Sequence, residues 1–316
     1  MLARVANNLF WMGRYIERAE HIARYLNVNY FNSLDAPNDL SQSRQFVLRS
    51  MFFMAGEPVH DDSIELSEEE TLFDIALNSD KPYSIINCVR FARENANSSR
   101  DLISTELYEA INKFYHFVMN YPSEFFIKKG LFEFATNITE STDILRGKIR
   151  GTLLHDQVYA IIMMGINIER ATQVIRIINT KFNDALKCRN FYKDKPGSDL
   201  HEWITLLKCA ESYDMMRRFY KKTPTSLTTL EFLILNPDCP RSVMNSLNQV
   251  FMHIQVINKD RHFEKDSAAF FIGKVRAEYE YKLIEEIDED LQVFIEKILN
   301  SLTRISEKIE AEYFNY

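Results

Sequence analysis

The sequence predicts an all-α fold, in the form of a single large helical-bundle domain. Only eight Gly and eight Pro occur in 316 residues, too few for the many hairpin turns of an all-β protein. Apolar residues instead recur at intervals of three and four, as on one face of an amphipathic helix. Because 46% of the residues are apolar, the chain can bury a substantial core. We therefore expect helices packed around one shared interior.

An octapeptide that occurs twice predicts the first and the central helix. MGRYIERA spans 12–19 and MGINIERA spans 164–171. Their alignment superimposes two apolar stripes that step by three and four residues, as expected for packed helical faces. The stripes consist of Leu9, Met12, Ile16, Ala19, Ala23 and Leu26 in the first copy, and Ile161, Met164, Ile168, Ala171, Ile175 and Ile178 in the second.

A second pair of similar segments follows in the same order and at a similar offset. LNSDKPYSIIN spans 77–87 and LNPDCPRSVMN spans 235–245. In each segment an Asp stands two residues before a Pro, a pattern typical of a helix start in which the Asp caps the first turn. The predicted caps and their prolines are Asp80 with Pro82, and Asp238 with Pro240.

The two matches indicate a duplicated helical unit, with halves at roughly 1–146 and 147–316 that share one core. No Pro occurs between 123 and 187, so a flexible linker between the halves is not expected. Further helices are expected at 41–55, 101–120, 199–220, 226–235 and 267–313. Loops are expected at 56–70, 190–198 and 258–266.

Composition narrows the classes of function. A net charge of −7 argues against nucleic-acid binding, which depends on clustered Lys and Arg. Charged residues interrupt the first twenty positions, and the longest apolar run, 158–166, is too short to cross a bilayer. We therefore expect a cytoplasmic protein without a membrane segment. The four Cys are widely spaced and form no C-x-x-C motif, so neither a zinc site nor a disulfide framework is predicted.

The octapeptides each place a Glu-Arg pair on a helix. Sequence neighbours on a helix point about 100° apart, so Glu17 cannot pair with Arg18, nor Glu169 with Arg170. We expect the polar segment 91–112 to supply partners. In the functional interpretation, Glu17 and Glu169 meet in a polar cavity where one carboxylate has a raised pKa and acts as acid or base. In the structural interpretation, the pairs only hold the helices in register.

The candidate site follows from the functional interpretation. The candidate catalytic acids are Glu17, Glu169 and Glu94. Arginines there are expected to bind a carboxylate or phosphate of a substrate. Ser84 and Ser242 stand at expected helix starts, which either bind an anion or are simply capped. The candidate binding residues are Arg14, Arg18, Arg93, Asn95, Arg100, Glu106, Arg170, Arg241 and Ser242.

No metal site or cofactor is predicted. A di-metal carboxylate bundle requires Glu-x-x-His motifs on inward-facing helices. The one instance, Glu57 to His60, spans Pro58 in an expected loop. No His-Glu-x-x-His, P-loop or G-x-S-x-G motif occurs.

Four segments closely resemble bacterial alpha-E domain proteins over nearly the whole chain: MLARVANNLFWMGRYIERAEHIARYL, ARENANSSRDLISTELYEAIN, GINIERA and PRSV. The resemblance implies an all-helical cytoplasmic domain, commonly encoded beside circularly permuted ATP-grasp proteins and transglutaminase-like cysteine peptidases. The family's Glu and Arg map onto Glu17, Arg18, Glu169 and Arg170. Its later motif maps onto Arg93, Glu94, Asn95, Arg100 and Glu106.

The sequence departs from the family pattern at two positions. Ile166 stands where the family usually has an Arg in the second copy, which weakens a symmetric two-site mechanism. Tyr108 stands where a Trp is usual. The second change replaces one large aromatic residue with another.

Two hypotheses of function follow. In the first, the chain is an accessory or catalytic component of an ATP-grasp-linked system that forms or processes peptide or amide bonds. The polar cavity around Glu17, Arg18, Arg93, Glu94 and Arg100 would then be its site. In the second, it is a non-enzymatic helical scaffold that docks an ATP-grasp or transglutaminase-like partner, and the Glu-Arg network serves the fold. The first hypothesis leaves direct catalysis open.

Overall fold

The structure is a computed structural model that describes residues 2–35, 44–57, 63–126, 130–191, 198–258, 264–288 and 290–314. Within these ranges it contains helices and turns and no strand, as the sequence predicts. The helices are α1 (Ala3–Asp35), α2 (Arg44–Ala55), α3 (Glu68–Ala76), α4 (Ile85–Ser98), α5 (Thr105–Met119), α6 (Ser123–Phe125), α7 (Leu131–Thr152), α8 (Gln157–Phe191), α9 (Ser198–Cys209), α10 (Tyr213–Tyr220), α11 (Ser226–Ile234), α12 (Val243–Ile257), α13 (Ala268–Glu280), α14 (Ile284–Asp288) and α15 (Leu291–Ile309).

Two long helices, α1 and α8, form the centre of the bundle. They carry the two octapeptides and pack against each other. On its other sides α1 contacts α4 and α7, whereas α8 contacts α12 and α15. No member of the two predicted apolar stripes is more than 2% exposed. The stripes are thus confirmed as core faces of these helices.

The close approach of α1 to α8 depends on two glycines. A Cβ on Gly13 would lie 2.6 Å from the carbonyl oxygen of Ile162, and one on Gly165 would lie still closer to the carbonyl oxygen of Phe10. Each contacted carbonyl stands three residues before the Gly of its own helix, so the contact is reciprocal. Backbone meets backbone here because neither position has a side chain.

The predicted N-caps at Asp80 and Asp238 are wrong. The caps are Ser84, whose hydroxyl accepts from Asn87 N at 3.4 Å, and Ser242, whose hydroxyl accepts from Asn245 N at 3.0 Å. Both aspartates lie in preceding turns, where each backbone N–H donates to the side chain of an Asn two residues earlier. Because these Asn-based turns occupy the residues around each Asp, each helix begins only after the Ser.

Two long predicted helices are divided. The segment 199–220 breaks between α9 and α10 at Glu211, whose φ of 54° is left-handed. The segment 267–313 forms α13, α14 and α15, because Asp290 caps a new helix by accepting from Val293 N at 3.2 Å. Helix α5 starts four residues later than predicted, after its Ser104 cap.

Other expected boundaries are only partly described. Helix α3 occupies the end of the predicted 56–70 loop, because Ser67 caps it. The predicted loops at 56–70, 190–198 and 258–266 include 58–62, 192–197 and 259–263, which lie outside the described residues. Helix α7 continues through the proposed junction at 146 and 147. In the part of the chain that the structure describes, no helix is both long and apolar enough to cross a membrane.

Candidate functional site

The Glu-Arg pairs of the two octapeptides bind each other across the α1–α8 interface. Arg170 donates to Glu17 Oε1 at 2.6 Å and to Oε2 at 3.0 Å. In the opposite direction, Arg18 donates to Glu169 Oε1 at 2.7 Å and to Oε2 at 3.0 Å. Each carboxylate thus accepts two hydrogen bonds from one guanidinium, a bidentate geometry that is stronger than a single hydrogen bond. Neither Glu side chain is exposed.

The position of this crossed pair follows from the glycines. Glu17 and Glu169 stand four residues, about one helical turn, after Gly13 and Gly165 and therefore share their face. The backbone contact brings the two helices close enough for each Glu to reach the Arg of the other helix. The sequence correctly predicted that the Glu and Arg within one octapeptide would not pair.

Further donors complete the shell around Glu169. Arg14 donates to Glu169 Oε2 at 2.9 Å, and Gln173 Nε2 donates to Oε1 at 2.7 Å. Arg14 also reaches the hydroxyl of Ser306 on α15 at 3.3 Å. Both carboxylate oxygens of Glu169 therefore accept two hydrogen bonds each.

The environment of Glu17 is a larger ion cluster. Besides Arg170, Glu17 receives Arg146 and Arg241, each at 3.4 Å, and lies 3.2 Å from His21 Nε2. The same two arginines bind Glu20. Glu20, Arg24, Arg146 and Glu211 were missed by sequence reasoning.

For two of these missed residues the sequence contained a usable signal, and for the other two it did not. Glu20 and Arg24 lie on the face of α1 that carries Glu17, three and seven residues on, and this spacing was the available signal. They pair with each other, one turn apart. Arg146 comes from α7, and Glu211 from the break after α9. No local pattern marks either residue, because only tertiary packing brings them to α1.

The carboxylates of Glu17 and Glu169 are held ionised, contrary to the expectation of a raised pKa. Burial alone would raise the pKa of Glu17, but the charge of Arg170 and the hydrogen bonds from His21 and Arg170 outweigh it and lower the pKa. Burial acts in the same way on Glu169, and the charges of Arg18 and Arg14 lower its pKa well below the usual range. A carboxylate so stabilised is a poor proton donor or acceptor near neutral pH.

A family match agrees with this geometry. Residues 1–314 match a family described as a predicted alpha-helical domain with a conserved ER motif. The chain belongs to the Alpha-E family. The Glu-Arg dipeptides at 17–18 and 169–170 are the two ER sequences that form the crossed pair of this Alpha-E domain. No curated protein and no solved structure matches the chain.

The later motif does not supply the partners of the Glu-Arg pairs, so that expectation is wrong. Helix α4 packs on α1 through its apolar face, which turns the polar residues away. Glu94 is exposed and lies 4.0 Å from Arg90, while Arg93 donates to Asn112 at 3.0 Å. Arg100 is exposed over the ring of Tyr108.

The remaining candidate residues have other places in the Alpha-E domain. Asn95 is half-buried on α4, and Glu106 is exposed in a cleft of about 380 Å³ between α5 and α7. Arg241 belongs to the ion cluster around Glu17, whereas Ser242 caps α12. Among the described residues, no group of three or more His, Cys, Asp or Glu is placed to hold a metal ion.

Proposed function

We propose that this Alpha-E protein is a non-enzymatic helical scaffold in an ATP-grasp-linked system that forms or processes peptide or amide bonds. Its Glu-Arg network serves to lock α1 to α8. The association with ATP-grasp and transglutaminase-like partners rests on the family resemblance. The scaffold role rests on the geometry of the crossed pair.

The observation that favours a scaffold is the saturation of Glu17 and Glu169. Both side chains are fully buried, and every carboxylate oxygen accepts a hydrogen bond from the protein. Their lowered pKa keeps them ionised at neutral pH. A general acid needs an accessible proton and a pKa near the working pH. Removing one member of such a pair instead leaves an unpaired buried charge and destabilises the fold.

The test measures activity per folded molecule. The chain is co-purified with its ATP-grasp and transglutaminase-like partners, and ATP-dependent ligation is assayed with and without it. Two variants are compared with wild type: Glu17→Gln removes a carboxylate, and Gly13→Ala disturbs the same interface without removing one. The assay temperature is varied so that each variant is measured at several folded fractions.

A scaffold predicts that both variants follow one curve of activity against folded fraction. A catalytic role predicts that fully folded Glu17→Gln has no activity while fully folded Gly13→Ala retains it, and this would overturn the proposal. The docking proposal would also be contradicted if neither the ATP-grasp nor the transglutaminase-like protein co-purified with the chain. It would be contradicted as well if the ligation activity were the same with and without the chain.

A further inference from the structure

The cleft between α5 and α7 is lined by residues that the crossed pair does not use. Its volume of about 380 Å³ lies within the range of roughly 300–1,000 Å³ that is usual for small-ligand sites. Its apolar lining includes Phe114 and Phe117 of α5 and Ile144 of α7. Ile144 is 56% exposed, so an apolar side chain is open to a ligand here.

The two helices run antiparallel along this α5–α7 cleft. The hydroxyl of Ser104, the N-cap of α5, lies 2.6 Å from the hydroxyl of Thr152 in the last turn of α7. Farther along, the rings of Phe117 and Phe134 stack with their centroids 6.2 Å apart. The cleft therefore has a Ser104 end and a Phe117 end.

The charged lining residues are divided unevenly between the two ends. Glu106 and Glu109 share one face of α5 near its start, and Lys148 stands one turn before Thr152 on α7. These two carboxylates and one ammonium make the Ser104 end negative. Lys113 stands one turn after Glu109, toward the Phe117 end, and is the charged lining residue there. That end is positive.

These charges are available to a ligand. The side chains of four lining residues form no hydrogen bond or ion pair with any other described residue: Glu106, Glu109, Lys113 and Lys148. Glu and Lys four residues apart, in this order, commonly pair on a helix. Glu109 and Lys113 have that spacing on α5 and are nevertheless not paired.

Two polar side chains on α7 can bind the backbone of a ligand. The hydroxyls of Thr139 and Thr142 donate to carbonyls of their own helix, whereas the Ser141 hydroxyl forms no hydrogen bond with a described residue. Asn137 donates through Nδ2 to the Glu133 carbonyl at 2.8 Å, and its Oδ1 accepts no hydrogen bond from a described residue. Ser141 and Asn137 thus offer a donor and an acceptor, which complement the C=O and N–H of a peptide bond.

The spacing of the charges fits a short extended peptide. With a helical rise of about 1.5 Å per residue, Lys113 lies about 6 Å along α5 from Glu109 and about 10 Å from Glu106. An extended chain advances about 3.3–3.6 Å per residue. Two or three residues therefore reach from the glutamates to Lys113, and a single amino acid is too short.

We propose that the α5–α7 cleft binds a free dipeptide or tripeptide that carries an apolar side chain. The ammonium group of the peptide binds Glu106 and Glu109, its carboxylate binds Lys113, and its apolar side chain packs on Phe117 and Ile144. The site shares no residue with the crossed pair and requires no ATP-grasp partner. The inference therefore goes beyond the scaffold role and does not depend on it.

Binding is tested on the full chain alone by ligand-observed NMR titration with the tripeptide Ala-Leu-Ala. Two derivatives are the matched probes: N-acetylation removes the ammonium charge, and C-terminal amidation removes the carboxylate. We expect the free tripeptide to bind with a Kd of about 1 mM or below. Each derivative should bind at least about threefold more weakly, which corresponds to the loss of one exposed ion pair.

Three substitutions determine which end of the peptide lies where. Lys113→Gln should weaken binding of the free tripeptide and leave binding of the amide unchanged, because both changes remove the same contact. Glu109→Gln should weaken binding of the free tripeptide more than binding of the acetylated one. Lys222→Gln, far along the chain, is the control and should bind all three peptides as wild type does. All three positions are exposed, so each variant should fold.

Three outcomes would overturn the proposal: no binding of the free tripeptide, equal binding of the free and blocked peptides, or an unchanged affinity of Lys113→Gln for the free tripeptide. Equal binding would assign the cleft to apolar contact alone. None of these outcomes would affect the scaffold role, because its test measures ligation by the partners in Glu17→Gln and Gly13→Ala.

Discussion

At the scale of single residues, the crossed pair places four charges in a bundle interior. Burying a charge costs several kcal/mol unless partners and hydrogen bonds compensate for it. Compensation here is reciprocal, because each Glu binds the Arg of the other octapeptide. The two pairs therefore form only when α1 and α8 are correctly packed. This makes the pairs a strong determinant of register between the helices.

We predict that Glu169→Gln lowers the free energy of unfolding by about 3 kcal/mol, because Arg14 and Arg18 lose the charge that compensates their burial. Urea unfolding at pH 7 measures the change. Glu94→Gln, at an exposed position, should alter stability by less than about 0.5 kcal/mol. Equal effects of the two substitutions would contradict a structural role of the crossed pair.

A second residue-scale prediction concerns pH. Burial lowers the pKa of His21 from its usual 6.5, against the effect of Glu17, so the folded state keeps the ring neutral. The unfolded chain takes up that proton below pH 6.5, and stability therefore falls as the pH drops below this value. His253 acts in the same direction, because burial lowers its pKa to about 4.

In the alignment of the two octapeptide helices, Gln173 of α8 occupies the position of His21 of α1. This suggests His21→Gln as the test variant. His21→Gln keeps a donor to Glu17 and cannot be protonated. We expect it to reduce the slope of stability against pH between 5 and 6.5 by up to about 1.4 kcal/mol per pH unit, the effect of one proton. Urea unfolding at several pH values in this range measures the slope. The substitution His116→Gln, at an exposed position, is the control. An unchanged slope would show that His21 does not titrate on unfolding.

At the scale of elements, the sequence predicted the central helices well and their neighbours less well. The apolar stripes of α1 and α8 were predictable because a face packed along its whole length repeats every three to four residues. Helix starts at Ser84 and Ser242 were misplaced by four residues, because local Asn turns compete with Asp caps. The break at Glu211 had no local breaker such as Pro or Gly.

The glycine contact leads to a prediction at this scale. Gly13→Ala and Gly165→Ala should each destabilise the protein by about 1–3 kcal/mol. The added methyl group would collide with a backbone carbonyl of the other helix and push α1 and α8 apart. Gly147→Ala is the matched control on α7, where a Cβ meets nothing within 4 Å. That substitution should stabilise by about 0.5–1 kcal/mol through helix propensity. Thermal melts compare the three, and a stabilising effect at position 13 or 165 would refute the close packing.

At the scale of the whole molecule, the duplication remains an interpretation of the sequence, but the physical sharing of one core is visible. Helix α1 contacts α4, α7 and α8, while α8 also contacts α12 and α15. The arginine partners of Glu17 come from α7, α8 and the turn before α12. Such long-range assembly explains why the ion cluster could not be predicted from local patterns.

We expect the protein to unfold as one cooperative unit despite its repeated motifs. The apolar stripes of α1 and α8 are buried and the two helices pack against each other, so separating the halves would expose part of this shared core. Calorimetry should therefore give one transition whose calorimetric and van't Hoff enthalpies agree. Fragments divided in the turn at 153–156 should each fail to melt cooperatively alone and should regain one transition when refolded together. If either fragment melted cooperatively alone, the halves would be independent domains, and the crossed Glu-Arg pairs would be an interface between them.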